Sequence, residues 1–287
     1  MSLFLVVIIG ITWAFSYVYQ SPGILYVGVI FSVGMNIISY WYSDKIVIKM
    51  SGAKPATRAE YFDLWNTVEN LSITAGLPMP SVYIISDDSP NAFATGRNKE
   101  HAVVAVTTGL LKILTKTELE GVIAHELSHI GNRDILLSTV VVVLVGFVVI
   151  ISDMFLRTSL FRGGSRDRED NGGGFMIILG IIFAILSPLI VKLIQLAISR
   201  KREFLADASG ALLTRYPEGL ANALEKISAS PVPLQHKSNA MAHLYIANPV
   251  KNGHSPSFFS KIFSTHPPVE ERVRALRGIG DQSISLS

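Results

Sequence analysis

Four long apolar blocks constrain this chain more than any other feature of its sequence. Residues 3–19 and 23–42 carry no charged side chain, residues 135–156 carry only Asp153, and residues 175–191 are again uncharged. Each block has about the 17–25 apolar residues that a helix needs to cross the hydrocarbon core of a bilayer. Four such blocks in 287 residues argue against buried helices of a soluble protein and predict an integral membrane protein with about four transmembrane helices.

The apolar blocks divide the chain into two membrane hairpins and two soluble segments. The first block lacks a basic flank and a small-residue cleavage site, so we expect a retained anchor rather than a signal peptide. The third and fourth blocks either cross the bilayer as a pair or lie shallowly on it. The expected divisions are the hairpin 1–42, the soluble segment 43–134, the second hairpin 135–198 with a Gly-rich charged loop 157–174, and the soluble segment 199–287.

The first soluble segment shows the alternating texture of an α and β domain. Capping-box pairs predict the starts of two helices, at Thr57 with Glu60 and at Thr117 with Glu120. Two apolar runs predict strands, at residues 82–85 and 103–106. The chain contains no cysteine, which excludes disulfides and thiolate metal sites, and its basic residues form no stripe that would indicate nucleic acid.

A short motif lies just before the third apolar block. The run His125-Glu126-Leu127-Ser128-His129 places two imidazoles four residues apart, on one face of a helix. Both rings can reach one metal ion and Glu126 can reach a water beside it, which is the H-E-x-x-H pattern of zinc metallopeptidases. A chance match on a surface helix is the alternative, but the apolar neighbours predict a partly buried helix, where unpaired polar groups are unfavourable. We therefore predict one Zn²⁺ per chain.

The third ligand is predicted to be a carboxylate from the second soluble segment. Glu203 is the best candidate, because Asp207 follows four residues later on the same helical face and can accept a hydrogen bond from a ligating histidine. An ordinary exposed carboxylate pair beside Arg200 and Arg202 is the competing interpretation.

Membrane topology favours the ligand interpretation of Glu203. His129 and Glu203 must lie on the same side of the bilayer, and two intervening crossings, or none, meet this condition. His129 lies about 9 Å before the third block, and Glu203 lies at most about 17 Å beyond Lys192 if that helix is straight. A shared site just above the bilayer surface is therefore feasible.

In this hypothesis Glu126 is the general base. The metal acidifies a water and polarises a peptide carbonyl, while Glu126 takes the proton of the water and returns it to the leaving nitrogen. Charged residues on both sides of the motif, such as Lys116 and Arg133, place it in the aqueous phase. This argues against intramembrane proteolysis.

Taken together, these residues resemble a known family. The H-E-x-x-H run, Glu203-x-x-x-Asp207, and His266-Pro267-Pro268 with Arg272 are similar to the HtpX group of bacterial membrane-bound metallopeptidases, relatives of the type I CAAX prenyl proteases. The resemblance covers nearly the whole chain. It implies an α+β fold, in which a thermolysin-like (minimal gluzincin) zinc-peptidase domain with a small mixed β-sheet is assembled from both soluble segments.

The resemblance also assigns residues that spacing alone does not. It implies that His266 and Arg272 lie near the active site and stabilise the transition state, and that Asn91-Ala92-Phe93-Ala94 lines the substrate cleft as a strand. From the residues alone, His266 is equally explained as a loop histidine that caps the following helix. The run from Asn91 is equally explained as an ordinary edge strand.

The leading functional hypothesis is a membrane-anchored zinc endopeptidase that cleaves exposed segments of misfolded or damaged membrane proteins. The resemblance implies a multi-pass protein of the bacterial inner membrane with a cytoplasmic active site, and functional overlap with the ATP-dependent protease FtsH. The expected partners are therefore membrane-protein substrates and the lipid bilayer, without nucleic acid. Alternatives are a CAAX-type endopeptidase acting on prenylated tails, and a metal transporter or scaffold without peptidase activity.

Overall fold

A computed structural model describes residues 20–140, 200–232, 246 and 267–284, together with scattered positions before residue 20. The Gly-rich loop 157–174, the fourth apolar block, most of the third and His266 lie outside the described residues. In chain order the described elements are α1 (Pro22–Ser51), β1 (Lys54–Pro55), α2 (Phe62–Ala75), β2 (Ser81–Ile85), β3 (Ala92–Gly96), a 3₁₀ turn (Lys99–His101), β4 (Ala102–Thr107), α3 (Thr108–Ile113), α4 (Lys116–Gly131), α5 (Arg200–Thr214), α6 (Pro217–Ala229) and α7 (Val269–Ile284).

Helix α1 contains the second apolar block and continues beyond it. Pro22 starts the helix, and Gly52 ends it in the left-handed conformation with φ 65°. Val27 and Ile30 are 68% and 73% exposed, so the apolar surface of α1 is not covered by the described protein. Among the described residues, α1 is the one helix long and apolar enough to cross a bilayer. The predicted total of four spans stays a prediction.

Helix α1 continues past residue 42, the boundary predicted for the membrane hairpin, and ends at Ser51. Between residue 42 and Gly52 no proline or glycine interrupts the helix, so the residues after the apolar block extend it by about two and a half turns. Val47 is fully buried in this extension, in a small cluster with Ile85, Phe93 and Ala105 of the sheet. The sheet therefore rests directly on the last turns of α1.

The sheet has four strands in the order β1-β2-β4-β3. β1 is antiparallel to β2, β2 is parallel to β4, and β4 is antiparallel to β3. A small mixed sheet packed against helices confirms the predicted α+β class. The two predicted strands are present as β2 and β4, and the run that begins at Asn91 leads into the edge strand β3.

Helix α4 lies at the centre of the described fold, with α2, α5, α6 and β3 packed around it. Its capping box uses Thr115 and Glu118, whose carboxylate accepts the Thr115 backbone amide at 2.8 Å. The predicted pair two residues later was wrong, because Leu114 is already extended at the end of α3 and the chain turns helical at once after Thr115.

The predicted start of α2 was also displaced. The Glu60 amide does bond the Thr57 hydroxyl at 3.3 Å, but this contact closes a turn, and the helix begins at Phe62. The helix ends at Gly76, which adopts the left-handed conformation with φ 63° that glycine takes most readily at a helix end.

Candidate metal centre

Helix α4 carries His125, Glu126 and His129 into the interior of the fold. His125 and Glu126 are only 1% and 2% exposed, and His129 is more open. The helix is anchored in the core by the apolar residues Leu119, Val122, Ile123, Leu127 and Ile130. Since burial of these residues fixes the rotation of the helix, the polar triplet is directed towards α5.

Helix α5 brings the predicted carboxylates to the same place. Glu203 is 6% exposed and Asp207 is 2% exposed, so they are not the exposed pair of the competing interpretation. The close approach of the two helices depends on Gly210, where an added Cβ would lie 3.0 Å from the backbone nitrogen of His125. The absence of a side chain at this position lets the backbones of α4 and α5 come together.

The ligand atoms of three residues converge. The Nε2 atoms of His125 and His129 are 3.2 Å apart, and the Glu203 carboxylate oxygens lie 3.8 Å from the first and 3.6 Å from the second. Within the described ranges these three residues form a group able to hold a metal ion. A tetrahedral cation with bonds of about 2.0–2.2 Å separates its ligand atoms by about 3.3–3.6 Å. The donor set therefore fits a cation of the size of zinc.

A buried ion pair lies behind His125. Asp207 Oδ1 is 2.9 Å from His125 Nδ1, and Arg272 of α7 donates from Nε to Asp207 Oδ2 at 2.8 Å and from Nη2 to Oδ1 at 2.6 Å. Arg272 is fully buried. Because a carboxylate only accepts hydrogen bonds, it holds the proton of a neutral His125 on Nδ1 and leaves the Nε2 lone pair for a metal.

This pair sets the charge of its surroundings. Burial lowers the pKa of His125 to about 4, and the Arg272 cation adds to that effect against the opposing influence of Asp207. Burial alone would raise the pKa of Asp207, but the Arg272 guanidinium outweighs it and holds that pKa well below its usual range. His125 is therefore neutral at physiological pH.

His129 has a different partner, Asp134, which lies just after α4. Asp134 Oδ2 is 3.2 Å from His129 Nδ1, and Arg202 Nη1 of α5 is 3.5 Å from the other oxygen of the carboxylate. Burial lowers the pKa of His129, but the hydrogen bond to Asp134 and the charges of Glu203 and Glu126 outweigh it and raise the pKa to about 9.

The edge strand β3 approaches the centre from the sheet. The Asn91 carbonyl accepts a hydrogen bond from the Thr107 amide of β4. Because the backbone groups of an antiparallel strand point alternately towards and away from the partner strand, the N–H and C=O groups of Ala92 and Ala94 point away from β4. The Ala92 carbonyl accepts the Ile246 amide at 3.1 Å. All five residues of β3 are buried, so this edge of the sheet is covered.

One backbone unit links this edge to the buried arginine. The Ile246 carbonyl accepts Arg272 Nη1 at 3.2 Å, while the Ile246 amide is bound to β3. The Ile246 amide therefore bonds the edge strand, and its carbonyl bonds Arg272, the residue that also holds Asp207.

Sequence reasoning missed Asp134 and Ile246. Asp134 follows Arg133, which has a φ of 62° and redirects the chain after α4, and this turn returns the carboxylate to His129. A carboxylate within a turn of a motif histidine was a signal that could have been followed. Ile246 offered no signal, because its role depends only on its backbone. His266 precedes the described Pro267 and is not placed.

Comparisons with known proteins were consistent with one another. The family model described as "Peptidase family M48" matches residues 59–280. A "Protease HtpX homolog" of Tropheryma whipplei is 52% identical over 251 residues, covering 88% of this chain and 84% of that protein. One of Thermoanaerobacter pseudethanolicus is 49% identical over 253 residues, covering 87% and 83%.

The fold is also similar to a solved structure, "Crystal Structure of S. mikatae Ste24p", with a TM-score of 0.52 and 20% sequence identity. The match covers 93% of this chain and 62% of that one, and it bears on the fold alone. The family resemblance predicted from the motifs is confirmed, and the protease relatives favour an enzyme over a transporter or scaffold. The chain belongs to peptidase family M48 and is a membrane-associated metalloprotease.

Proposed function

We propose that the chain is a zinc-dependent endopeptidase whose single metal ion is held by His125, His129 and Glu203. The observation that carries this proposal is the convergence of their three ligand atoms, which all lie within 4.8 Å of one another. Two imidazoles and one carboxylate, with a fourth position left for water or substrate, form the donor set of catalytic zinc sites.

In this proposal Glu126 moves the proton. Bound zinc supplies Lewis acidity, which polarises a peptide carbonyl and acidifies water. Glu126 accepts the proton of the attacking water and passes it to the leaving amide nitrogen, so that one carboxylate serves both steps. Its burial at 2% exposure keeps bulk water away from this transfer.

We assign Asp207, Arg272 and Asp134 to positioning rather than to contact with the substrate. Asp207 and Asp134 each face the Nδ1 atom of one histidine, which fixes the ring and leaves Nε2 for the metal. Arg272 is bound to Asp207 through two nitrogens, so its cation orients that carboxylate. The resemblance implies transition-state stabilisation by both His266 and Arg272, but the complete burial of Arg272 behind Asp207 favours a positioning role, so we propose the stabilising role for His266.

The substrate strand is proposed to bind at β3, along Asn91, Ala92, Phe93 and Ala94. The backbone of Ile246 supports this binding mode. Its amide donates to the Ala92 carbonyl and its carbonyl accepts from Arg272, and one residue of an extended substrate could make the same two hydrogen bonds. A substrate strand would pair at Ala94, or would displace Ile246 from Ala92.

The proposed substrates are exposed segments of misfolded or damaged membrane proteins at the cytoplasmic face of the bacterial inner membrane. Lys45 and Lys49 near the domain end of α1, followed by Lys54 and Arg58, favour the cytoplasmic side for the site. Overlap with FtsH is proposed from the family resemblance alone.

A single substitution tests the proposed chemistry. Glu126→Gln keeps both histidines and Glu203, so we expect unchanged zinc content and at least a hundredfold loss of cleavage of an unfolded protein substrate, in line with the usual size of a general-base contribution. Glu120→Gln, on the same helix and only partly buried, is the matched control and should retain activity. Wild-type protein without stoichiometric zinc, or a Glu126→Gln enzyme that still cleaves, would contradict the proposal.

A further inference from the structure

The bilayer surface can be located on α1 from its side chains. The apolar block ends in Tyr40, Trp41 and Tyr42, with Asp44 and Lys45 directly after it. Trp41 and Tyr42 are each 52% exposed, and tyrosine and tryptophan concentrate where a membrane meets water. The surface therefore crosses α1 close to Trp41.

The edge strand reaches this level at one end. Arg97, the residue after β3, has its guanidinium carbon 4.7 Å from the centre of the Trp41 ring and donates from Nη1 to the Trp41 carbonyl at 3.2 Å. The Gly96 end of β3 therefore lies at the bilayer surface.

A second apolar block marks the same end independently. Residues 134–140 are helical and begin the third block. Thr139 in this stretch bonds the Thr95 hydroxyl at 2.8 Å and accepts the Gly96 amide at 3.2 Å. Two separate apolar segments thus converge on the Gly96 end of β3, while the other end points away from the membrane.

The height of the metal centre above this level follows from element geometry. His129 contacts Asp134, which lies five residues before Thr139, or about 8 Å along a helix. Along β3, the four steps from Gly96 to Ala92 cover about 13 Å. For elements perpendicular to the bilayer these routes give heights of about 8 and 13 Å, so we take the centre to lie about 10 Å above the surface, a distance that an extended chain spans in about three or four residues.

We propose that the enzyme acts on polypeptides that leave the bilayer beside it, and that it cuts them at a fixed short distance from the membrane, about three or four residues beyond the end of the substrate's own transmembrane helix. This inference rests on the proposed function of the metal centre. The contacts of Arg97 and Thr139 set the distance by holding the edge strand upright on the bilayer.

A uniform substrate measures the distance directly. A single transmembrane helix is followed by a long repeat of one short peptide, chosen because its soluble form is cleaved by wild-type enzyme and not by Glu126→Gln, so that failure of the proposed function is detected first. Enzyme and substrate are reconstituted in phosphatidylethanolamine and phosphatidylglycerol vesicles, and the cut positions are mapped by mass spectrometry. We expect cuts concentrated about three or four residues from the membrane, at the same place for every repeat length. Cuts spread evenly along the repeat, or found only far from the membrane, overturn the inference.

A variant tests what sets the distance. Arg97→Gln removes the contact with Trp41 and leaves the metal centre untouched, so the soluble repeat should be cleaved at the wild-type rate while cuts in the anchored repeat scatter over a wider range. Arg58→Gln is the control, because Arg58 is also an exposed surface arginine but bonds Asn66 on α2. An unchanged cut distribution in Arg97→Gln overturns the role of the Trp41 contact.

Discussion

The two imidazoles of the metal centre lie one helical turn apart, but their surroundings differ in depth and in charge. The side chain of His125 is 1% exposed and is backed by Asp207, whose negative charge is matched by two hydrogen bonds from the buried Arg272. The side chain of His129 is 16% exposed and is backed by Asp134, which has only a long 3.5 Å contact to the half-exposed Arg202.

The different carboxylate partners give the two histidines of the motif different charge states. A carboxylate whose charge is balanced holds His125 neutral and fixed in the core. The less balanced carboxylate of Asp134 favours a positive charge on His129, at the more open side of the site. The two histidines are therefore expected to contribute to the stability of the fold in opposite pH ranges.

The largest effect is expected from Asp207→Asn. This change leaves the Arg272 cation buried without its anion, and breaking a buried pair in this way lowers the free energy of unfolding by about 3–5 kcal/mol. Thermal unfolding in detergent should show a large fall in melting temperature, and competition with a chromophoric chelator should show weaker zinc binding. Asp63→Asn on the exposed face of α2 is the control. A wild-type melting temperature in Asp207→Asn would remove the distinction between the two histidines.

The pH dependence of the chelator-treated protein should show both sides of the comparison. The folded pKa of His125, about 4, lies below its ordinary value of 6.5, so its contribution to stability is present above about pH 6.5 and is lost as the pH falls towards 4. The folded pKa of His129, about 9, lies above that value, so its contribution is present below about pH 6.5 and is lost as the pH rises through 9.

Melting temperatures of two variants, measured from pH 4 to 9.5, test which histidine causes the loss of stability at the acid limb and which causes it at the alkaline limb of this range. We expect His125→Gln to flatten the acid limb and His129→Gln to flatten the alkaline one. The reverse assignment would show that the burial and charge of the two rings act in the opposite way.

The smallest effect is expected from Asp134→Asn. The carboxamide still reaches His129 but loses the negative charge, and loss of such a supporting contact weakens metal affinity by about 10- to 100-fold. The melting temperature of the metal-free protein below pH 6.5 should fall far less than in Asp207→Asn, because no buried cation is left unpaired. Asp134→Glu should recover part of the affinity, whereas a variant with wild-type zinc affinity would exclude Asp134 from the support of His129.

Much of this arrangement could be predicted where local pattern and burial agree. The helix that carries the H-E-x-x-H run, the two inner strands and the end of α2 at Gly76 follow from apolar periodicity and turn chemistry. Glu203 was chosen because Asp207 follows it four residues later on the same helical face, and because two crossings, or none, place it on the same side of the bilayer as His129. The predicted helix starts were less accurate. Before α4, for example, both Thr115 and Thr117 could cap the helix, and the packing of the preceding segment selects Thr115.

The remaining features depend on contacts between distant residues. Arg272 and Asp207 are 65 positions apart in the chain, so no local sequence pattern indicates their ion pair. The contact of Ile246 with β3 uses only its main chain, which every residue shares. The continuation of α1 to Ser51 was not predicted, because charge marks where a helix leaves the membrane and not where it ends.

Gly210 influences the distance between the ligand residues of α4 and α5, although it is not a ligand itself. An added methyl group there would be too close to the main chain of His125, and α4 or α5 would have to yield by a few tenths of an ångström. The gap across which Glu203 faces the imidazoles would widen with it. The distance between Glu203 and the two imidazoles thus depends in part on Gly210, a residue that offers no ligand atom itself.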